Sequence, residues 1–471
     1  MNVLGNRDNN LPKMMLGAKR MMQTSGVVAG QHVVIHVDDQ HDNEVVTNLV
    51  VATREAGASA EVVRTATWDK LTEPEPQALR DAVLRADVLI GQGEYLRAEL
   101  PYLTEARLTR GMLFVNNEAK TPRALQSSYA HLPSRILAIR GGALAQALVA
   151  CRRVRITTAS GTDITFSVRP ETIGGYWYPY DLDGPGHKKG WPGGILCFAP
   201  DSADGTVCLT RLAASEYWSG GPRSTVLNFE ISGGRVVSVA GSGAQDIEEH
   251  WRTSDGGARQ FAKVLLGLHP DGESAGARQA SSPKSVNFGF GDTTRYGGTT
   301  FSRSWVQGFD DNPTVFADDQ LLYEAGRWCV DLPEETDFVI PPAPETRPLS
   351  GEKLGVVGKR LKSAIEAVAD VQSFSKLPKQ VHDIDVEGEP VFSVTTGEGP
   401  ATIAERLSPP ALLRSDRLLG NADVFASMLD GRETMISLLS DGRLRLAARL
   451  YGGSALTGLL TLAARNAART R

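Results

Sequence analysis

The stretch VVIHVDDQHDNEVVTNLVVATREAGASAEVV, residues 33–63, determines the architecture of the first part of the chain. Residues 33–37 form a short β-branched run that is typical of a buried strand. Apolar residues then recur at helical spacing up to Gly57; they are Val45, Val46, Leu49, Val50 and Thr53. Residues 60–63 form a second β-branched run. Strand, helix and strand in this order predict an α/β layer with a largely parallel sheet.

The same alternation continues to about residue 150. A second helical pattern precedes the run VLIG at 88–91, and a short helix through TEARL precedes the run MLFV at 112–115. We therefore expect an α/β domain over residues 1–150.

The hydrophobic period changes to two after residue 150. Val154 and Ile156 stand on one side of the turn SGTD, and Ile164 and Phe166 stand on the other side, which predicts a hairpin. Apolar residues alternate in the same way around Gly233. We expect a β-rich second domain over residues 151–339.

The stretch IPPAPETRPLSGE at 340–352 is a predicted linker, because prolines at this density hold a chain extended and exclude a helix. A third, α+β domain is expected over residues 353–471. Its pattern consists of a helix after residue 353, a strand at FSV, 392–394, and two short helices at 424–429 and 435–439.

The composition limits the class of protein. The chain has 471 residues and a formal net charge of −5, without a basic block, so nucleic acid is not an expected partner. The four cysteines are far apart in sequence, which favours reduced thiols and a cytoplasmic location. No stretch approaches the roughly 18 apolar residues of a spanning helix, and no signal peptide is recognisable.

The common catalytic motifs do not identify a catalytic site in this sequence. HExxH, GxxxxGK[ST] and a GxGxxG after a strand do not occur. A GxSxG at Gly272, Ser274 and Gly276 lies in a small, polar segment that does not predict the strand and helix of a nucleophile elbow, so we interpret it as a chance match.

Aromatic side chains concentrate in GGYWYPYDLDGPGHKKGWPGG, residues 174–194. His187 and Trp191 lie in this stretch. Aromatic walls with a few polar groups are typical of a small-molecule pocket, and an ordinary packed loop is the alternative interpretation.

Several motifs occur in an order that resembles a known family. They are VRITTASGTDITFSV at 154–168, PGGILCFAP at 192–200, LLGLHP at 265–270, NFGFGDTTRYGG at 287–298 and SWVQGFDDNPTVFADDQLL at 304–322. With the opening α/β region, they resemble the aminopeptidase T family of metallopeptidases and its relatives, the iron-dependent 2,5-dihydroxypyridine dioxygenases. The resemblance covers residues 13–330, about two thirds of the chain.

The metal ligands implied by this resemblance are replaced. The matching positions hold Ile195, Lys263, Asn287, Trp305 and Gln307. A divalent metal needs several carboxylate or imidazole ligands together, and a lysine would repel it. We therefore expect no metal and no other cofactor. His269, Asp292, Asp310 and Asp311 lie near these motifs and are the residues from which a site could be rebuilt.

The replacements admit two interpretations. In one, Ile195 and Trp305 fill the vacated volume as core. In the other, Lys263, Asn287 and Gln307 form a catalytic group without metal, and Trp305, His187, Trp191 and Ile195 bind substrate. An aromatic plane, two amides and one cation suit a carboxylate or carbonyl group.

The C-terminal region resembles the sterol carrier protein type 2 family. The resemblance rests on residues 420–429, Gly431 and SDGRLRLAARL at 440–450. It implies an apolar tunnel that holds a lipophilic ligand. The alternative is a small domain that only packs or forms a homodimer.

Three functional hypotheses follow. The first is a metal-independent, hydrolase-like or biosynthetic enzyme that acts on a small or peptide-like, partly apolar substrate in specialised biosynthesis. The second is a non-catalytic binding or scaffold protein, a pseudoenzyme that uses the old cleft. The third is a metallo-aminopeptidase with relocated ligands. The sequence names no substrate and no bond broken.

Overall fold

The structure is a computed structural model of the chain. It describes residues 13–39, 41–66, 76–91, 101–132, 134–176, 188–215, 223–270, 281–293, 298, 300, 302, 304–331, 346–348, 354–369, 380–387, 391–396, 400–406, 415–440, 443–447, 459–460, 463–464 and 466–468. These residues fall into two units. The first comprises residues 1–141, 176–195 and 266–285, and the second comprises residues 142–175, 196–265 and 286–471.

The first unit contains a parallel five-stranded sheet. Its strands are β1 (His32–Asp38), β2 (Ser59–Thr65), β3 (Val88–Gly91), β4 (Leu113–Asn117) and β7 (Lys188–Trp191). They lie in the order β2-β1-β3-β4-β7, and every neighbouring pair is parallel. The predicted α/β layer is confirmed. The sequence did not indicate β7, which comes from the aromatic stretch at 174–194.

Helices precede, connect and follow these strands. They are α1 (Lys13–Thr24), α2 (Asn43–Glu55), α3 (Gln77–Arg85), α4 (Pro101–Arg110), α5 (Pro122–Gln126) and α6 (Ser134–Ala150). The predicted helical face of α2 is confirmed, since Val45, Val46 and Leu49 are buried. Asp42 caps the helix by accepting from the Glu44 amide, and Gly57 follows the helix with a φ of 80°.

The second unit contains an 11-stranded sheet in its N-terminal part. Its strands are β5 (Val154–Thr157), β6 (Asp163–Tyr176), β8 (Ile195–Ser215), β9 (Arg223–Ser232), β10 (Arg235–Gly241), β11 (Phe261–Gly267), β12 (Ser285–Gly291), β13 (Trp305–Asp311), β14 (Thr314–Ala317), β15 (Gln320–Glu324) and β16 (Arg327–Trp328). The main path is β11-β12-β13-β8-β6-β5-β14-β15-β16, with β9 on β8 and β10 on β9. The two predicted hairpins, β5–β6 and β9–β10, are confirmed as antiparallel pairs.

An aromatic cluster forms the core under β11 and β12. Phe229 stacks on Phe290 with ring centroids 4.4 Å apart. Phe261 lies 5.8 Å from Phe290, and Trp251 of helix α7 (Ala244–Thr253) lies 6.0 Å from it. Offset and tilted ring pairs of this kind add to the burial of apolar area. These contacts hold β11 and β12 in place within the sheet.

The C-terminal part of the second unit is α+β. Its sheet contains β17 (Thr346–Pro348), β18 (Gln380–Val386), β19 (Phe392–Thr396), β20 (Thr402–Arg406), β21 (Ser415–Gly420) and β22 (Arg445–Ala447) in the order β17-β20-β19-β18-β21-β22. The helices are α8 (Val356–Glu366), α9 (Ala422–Leu429) and α10 (Met435–Ser440). These helices confirm the predicted pattern, and a buried apolar cluster joins α8, α9 and the sheet.

The predicted linker is described only at residues 346–348. These residues form β17, which pairs with β20 at the end of the sheet. Pro348 is tolerated there because an edge strand can leave one backbone position without a hydrogen bond. The division into three domains, with its boundaries at 150, 340 and 352, stays a prediction. Within the described ranges, every helix is too short or too polar to span a bilayer.

A buried carboxylate joins the β5–β6 turn to β13. Asp310 accepts hydrogen bonds from the Thr158 hydroxyl at 2.5 Å, the Thr162 hydroxyl at 2.6 Å and the Ser160 hydroxyl. The backbone amide of Asp311 donates to it at 2.9 Å. Both carboxylate oxygens therefore have partners, which is the condition for burying a charge at low cost.

We predict that Asp310→Ala lowers the free energy of unfolding by about 2–4 kcal/mol, because the buried Thr162 hydroxyl and the turn lose their acceptor. Chemical denaturation of the full chain measures this change. The matched control is Asp163→Ala, which removes an exposed ion pair with Arg155 in the same hairpin and should cost less than about 1 kcal/mol. Equal losses in both variants would contradict a special role for Asp310.

Candidate functional site

Four of the residues singled out in the sequence lie on three neighbouring strands of the second unit. Lys263 is on β11, Asn287 is on β12, and Trp305 and Gln307 are on β13. The strands are adjacent in the order β11-β12-β13. The structure thus brings together positions that are up to 44 residues apart in sequence.

The side chain of Lys263 crosses β12 to reach β13. A Cβ atom placed on Gly289 would lie 2.5 Å from Lys263 Cε and 2.6 Å from Lys263 Cγ, so the lysine stem passes directly over this glycine. Its ammonium group then donates a hydrogen bond to Gln307 Oε1. The absence of a side chain at Gly289 makes this crossing possible.

Burial alternates along these strands as the pleat requires. Lys263 and Leu265 on β11, and Trp305 and Gln307 on β13, are partly exposed, whereas the residues between them are buried. Successive side chains of a strand point to opposite faces, so these residues share one face of the sheet. We call the face formed by Lys263, Leu265, Asn287, Gly289, Trp305, Gln307 and Phe309 the lysine face.

Asn287 is the buried polar group of the lysine face. Its side chain is 1% exposed, and its Oδ1 atom has no hydrogen-bond partner in the described part of the chain. Most buried polar atoms in native proteins are hydrogen bonded, so a remaining acceptor needs an explanation. An acceptor on a ligand-binding face is satisfied when a ligand donates to it.

Aromatic and cationic groups continue the face along β13. Phe309 follows Gln307 by two residues and is 8% exposed. The Arg211 guanidinium, from neighbouring β8, lies 5.8 Å from the Phe309 ring centroid and pairs with Asp311. The face therefore combines two apolar rings, those of Trp305 and Phe309, with amide and cationic groups.

The nearby thiol is not a nucleophile. Cys197 on β8 is buried, and burial raises its pKa well above the usual range, although the positive charge of Lys263 opposes this shift. A thiol attacks only as its thiolate. Cys197 therefore stays protonated near neutral pH.

The donor set of the lysine face does not fit a catalytic metal. Asn287 and Gln307 offer neutral amide oxygens, the latter already bonded to Lys263, and Lys263 itself is a cation. Zinc, iron and manganese sites need several carboxylate, imidazole or thiolate ligands. Among the described residues, no group of three or more His, Cys, Asp or Glu side chains is placed to hold a metal ion.

The residues from which a metal site could be rebuilt have other partners. Asp310 is held by the β5–β6 turn, and Asp311 pairs with Arg211. His269 belongs to the first unit, where its Nε2 lies 3.1 Å from the Tyr129 carbonyl and its ring packs on the Tyr129 ring. Asp292 directly follows β12.

The other predicted substrate-binding residues are Trp191, Ile195 and His187. Trp191 is in the core of the first unit, and its indole N–H donates to Thr24 Oγ1 at 2.9 Å. Ile195 is buried at the start of β8. His187 and the GxSxG segment at 272–276 lie outside the described residues. Their predicted roles stay predictions.

Sequence reasoning did not single out Gly289 or Phe309. A signal for Gly289 was present, since NFGFG at 287–291 alternates large residues with glycines on a predicted strand, and a strand glycine often marks a close approach of another group. No pattern in the sequence identifies the lysine that makes this approach.

Known proteins similar to this chain show its family. A family model described as 2,5-dihydroxypyridine 5,6-dioxygenase matches residues 13–287. No curated protein matches the chain significantly in sequence. Among solved structures, 2,5-dihydroxypyridine dioxygenase from Pseudomonas putida is similar, with 17% identity and a TM-score of 0.50; the match covers 69% of this chain and 98% of that one.

Two further solved structures are similar over different parts of the chain. AmpT from Thermus thermophilus shares 14% identity with a TM-score of 0.47, over 68% of this chain and 99% of that one. Sterol carrier protein 2 from Yarrowia lipolytica shares 14% identity with a TM-score of 0.15, over 25% of this chain and 82% of that one.

The family match agrees with the two sheets described above. The α/β unit and the strands up to the start of β12 lie within the matched range, which covers more than half of the 471 residues. The chain therefore belongs to the 2,5-dihydroxypyridine 5,6-dioxygenase family.

Proposed function

We propose that the lysine face is a metal-independent site for a small, partly apolar substrate that carries a carboxylate or carbonyl group. The contact of Lys263 with Gln307 across Gly289, beside the unpartnered Asn287 Oδ1, is the observation that carries this proposal. The substrate would be made or modified in specialised biosynthesis.

Each group of the face has a distinct part in this proposal. The Lys263 ammonium binds the anionic or carbonyl oxygen of the substrate and stabilises negative charge that develops there. Gln307 holds the ammonium in position through its Oε1 atom. Asn287 Oδ1 accepts an N–H or O–H group of the substrate, and the Trp305 and Phe309 rings contact its apolar part.

A second candidate is a non-catalytic binding protein. The lysine face as defined contains no carboxylate and no imidazole, which are the common general bases. The thiol of Cys197 also stays protonated. These features favour binding without turnover, and the same chain would then act as a pseudoenzyme or scaffold.

Our first test of the proposal is the metal content of the purified full chain. We predict less than about one tenth of a zinc, iron or manganese ion per chain, because Lys263 occupies a position where it repels a divalent cation. Elemental analysis measures this, before and after incubation with each metal and dialysis. Retention of about one ion per chain, with hydrolysis of leucyl p-nitroanilide, would instead support a metallo-aminopeptidase with relocated ligands.

The charge of Lys263 is tested with Lys263→Met, which keeps a long apolar stem over Gly289. Phenylacetate, an apolar ring with a carboxylate, is the probe, and phenylacetamide is its uncharged analogue. We predict that the variant binds phenylacetate about fivefold or more weakly, while phenylacetamide binding changes less. Titration followed by ligand-observed NMR measures both affinities.

The matched control is Lys284→Met, the same substitution at an exposed lysine of the first unit. It should leave both affinities unchanged. Equal phenylacetate binding by the parent chain and Lys263→Met would exclude the lysine from the site. Chromatographic analysis of each bound probe after prolonged incubation separates an enzyme from a binding protein.

The crossing at Gly289 gives a separate prediction. Gly289→Ala should lower the free energy of unfolding by about 1–3 kcal/mol and weaken phenylacetate binding, because the new methyl group displaces the Lys263 stem. The control is Gly256→Ala, where a Cβ atom meets nothing within 4 Å. In a Lys263→Ala background the stability cost of Gly289→Ala should largely disappear, as a double-mutant cycle shows. A cost that is the same in both backgrounds would contradict the crossing.

A further inference from the structure

The carboxyl end of the parallel sheet in the first unit contains a second group of buried polar residues. Strand β1 lies between β2 and β3. The chain passes from β1 to β2 on one side and then crosses to β3 on the other side of β1. This makes the boundary between β1 and β3 the topological switch point of the sheet. Open α/β sheets bind ligands in the crevice outside the strand ends at such a point.

Three residues form a row across this switch point. His36 of β1 is the register partner of Gly91 of β3, and Gly91 is the partner of Asn116 of β4. Adjacent strands are about 4.8 Å apart, so the outer Cα atoms of the row are about 10 Å apart. Gly91 adds no side chain between them. The spacing suits one small ring between the two outer side chains.

The row lies on the face of the sheet opposite the main apolar cluster. Val33, Ile35 and Val37 of β1 pack in that cluster with residues of α1 and α2. Because side chains alternate along a strand, His36 points to the other face. At the level of this row, one face of the sheet therefore carries polar groups and the opposite face carries apolar side chains.

His36 is buried and only half satisfied. It is fully inaccessible to solvent, and its Nε2 atom lies 2.9 Å from the Thr65 hydroxyl. Among the residues that the structure describes, its Nδ1 atom has no hydrogen-bond partner. Whichever tautomer is present, one ring nitrogen is left to donate or accept.

Asn116 provides a second polar group in the row. It is 7% exposed, and within the described residues its side-chain amide makes no hydrogen bond. An amide offers one acceptor and two donors. His36 is thus the fully buried member of the row, and Asn116 is the member that keeps some contact with solvent.

The electrostatics of the row favour an uncharged ligand. Burial lowers the pKa of His36 to about 3, so its ring is neutral at physiological pH. Charges of both signs surround it, since Asp38, His41 and Lys120 all act on the ring. Asp38 is held by His41, whose Nδ1 lies 2.7 Å from its carboxylate. Asp38 and Lys120 act on the ring in opposite senses, so no single neighbouring charge selects an anion or a cation.

We propose that His36 and Asn116 bind, above Gly91, a small uncharged ring that carries an N–H donor next to a carbonyl acceptor. The Asn116 amide pairs with the donor and acceptor edge of the ring, and His36 Nδ1 bonds a second polar atom of the same ring. The site lies in the first unit and does not depend on the function proposed for the lysine face.

Uracil is the probe for this site, because it is a neutral ring with adjacent N–H and C=O groups. The matched compounds are 1,3-dimethyluracil, in which the donors are blocked, and orotate, which adds a carboxylate to the same ring. Ligand-observed NMR titrations of the full chain, to about 10 mM, measure the affinities. We expect uracil to bind at least about fivefold more tightly than either compound.

The variants are His36→Phe and Asn116→Leu, with His32→Phe as the control on the same strand, where His32 is partly exposed and bonds Ser59 and Glu61. Each test variant should weaken uracil binding about fivefold or more, and the control should not. Thermal unfolding verifies that each chain is folded, and Asn116→Leu decides the question alone if His36→Phe does not fold. Absence of uracil binding, equal binding of 1,3-dimethyluracil, or unchanged binding in the folded test variants would overturn the proposal.

Discussion

The passage of the Lys263 stem over Gly289 to Gln307 is the contact on which the candidate site of the second unit depends. It needs three adjacent strands in one register, a glycine on the central strand and an amide acceptor on the third. Lys263 and Gln307 are also two of the positions at which the family resemblance implies metal ligands. In this structure the two side chains bond each other, so a cation and an amide are paired there.

Structural residues and candidate binding residues of this chain differ in whether their buried polar atoms have hydrogen-bond partners. Asp310 has hydrogen-bond partners on both oxygens, all from one turn and its own strand, and needs nothing more. Asn287 and His36 are as deeply buried, and each keeps a polar atom without a partner in the described part of the chain. Burying such an atom is unfavourable unless a bound molecule completes its hydrogen bonds. This difference is why the two proposals rest on Asn287 and His36 and not on Asp310.

Family membership and chemistry are separate questions in this chain. The fold depends on apolar contacts such as the cluster of Phe229, Phe261 and Phe290, and none of these three residues is a position implied as a metal ligand. Ligand positions can therefore change without loss of the sheet. Function depends on the side chains that a fold presents, and the lysine face presents amides, rings and a lysine.

Local sequence patterns were enough to predict α2, β5 and β6. The 3.6-residue period of α2 and the two-residue period of β5 and β6 were readable because each depends on neighbours close in the chain. The resemblance also identified Lys263, Asn287, Trp305 and Gln307 as a set. Strand β7 was missed because its sequence, KKGW, carries no alternating apolar pattern.

Which residues lie next to one another in space depends on the tertiary structure. That Lys263 lies over Gly289, and that His36, Gly91 and Asn116 share one row, follows from strand order and register between segments far apart in sequence. A shift of one residue in register would turn every side chain of a strand to the opposite face. No local pattern encodes that choice, because it is fixed by the packing of both faces of each sheet at once.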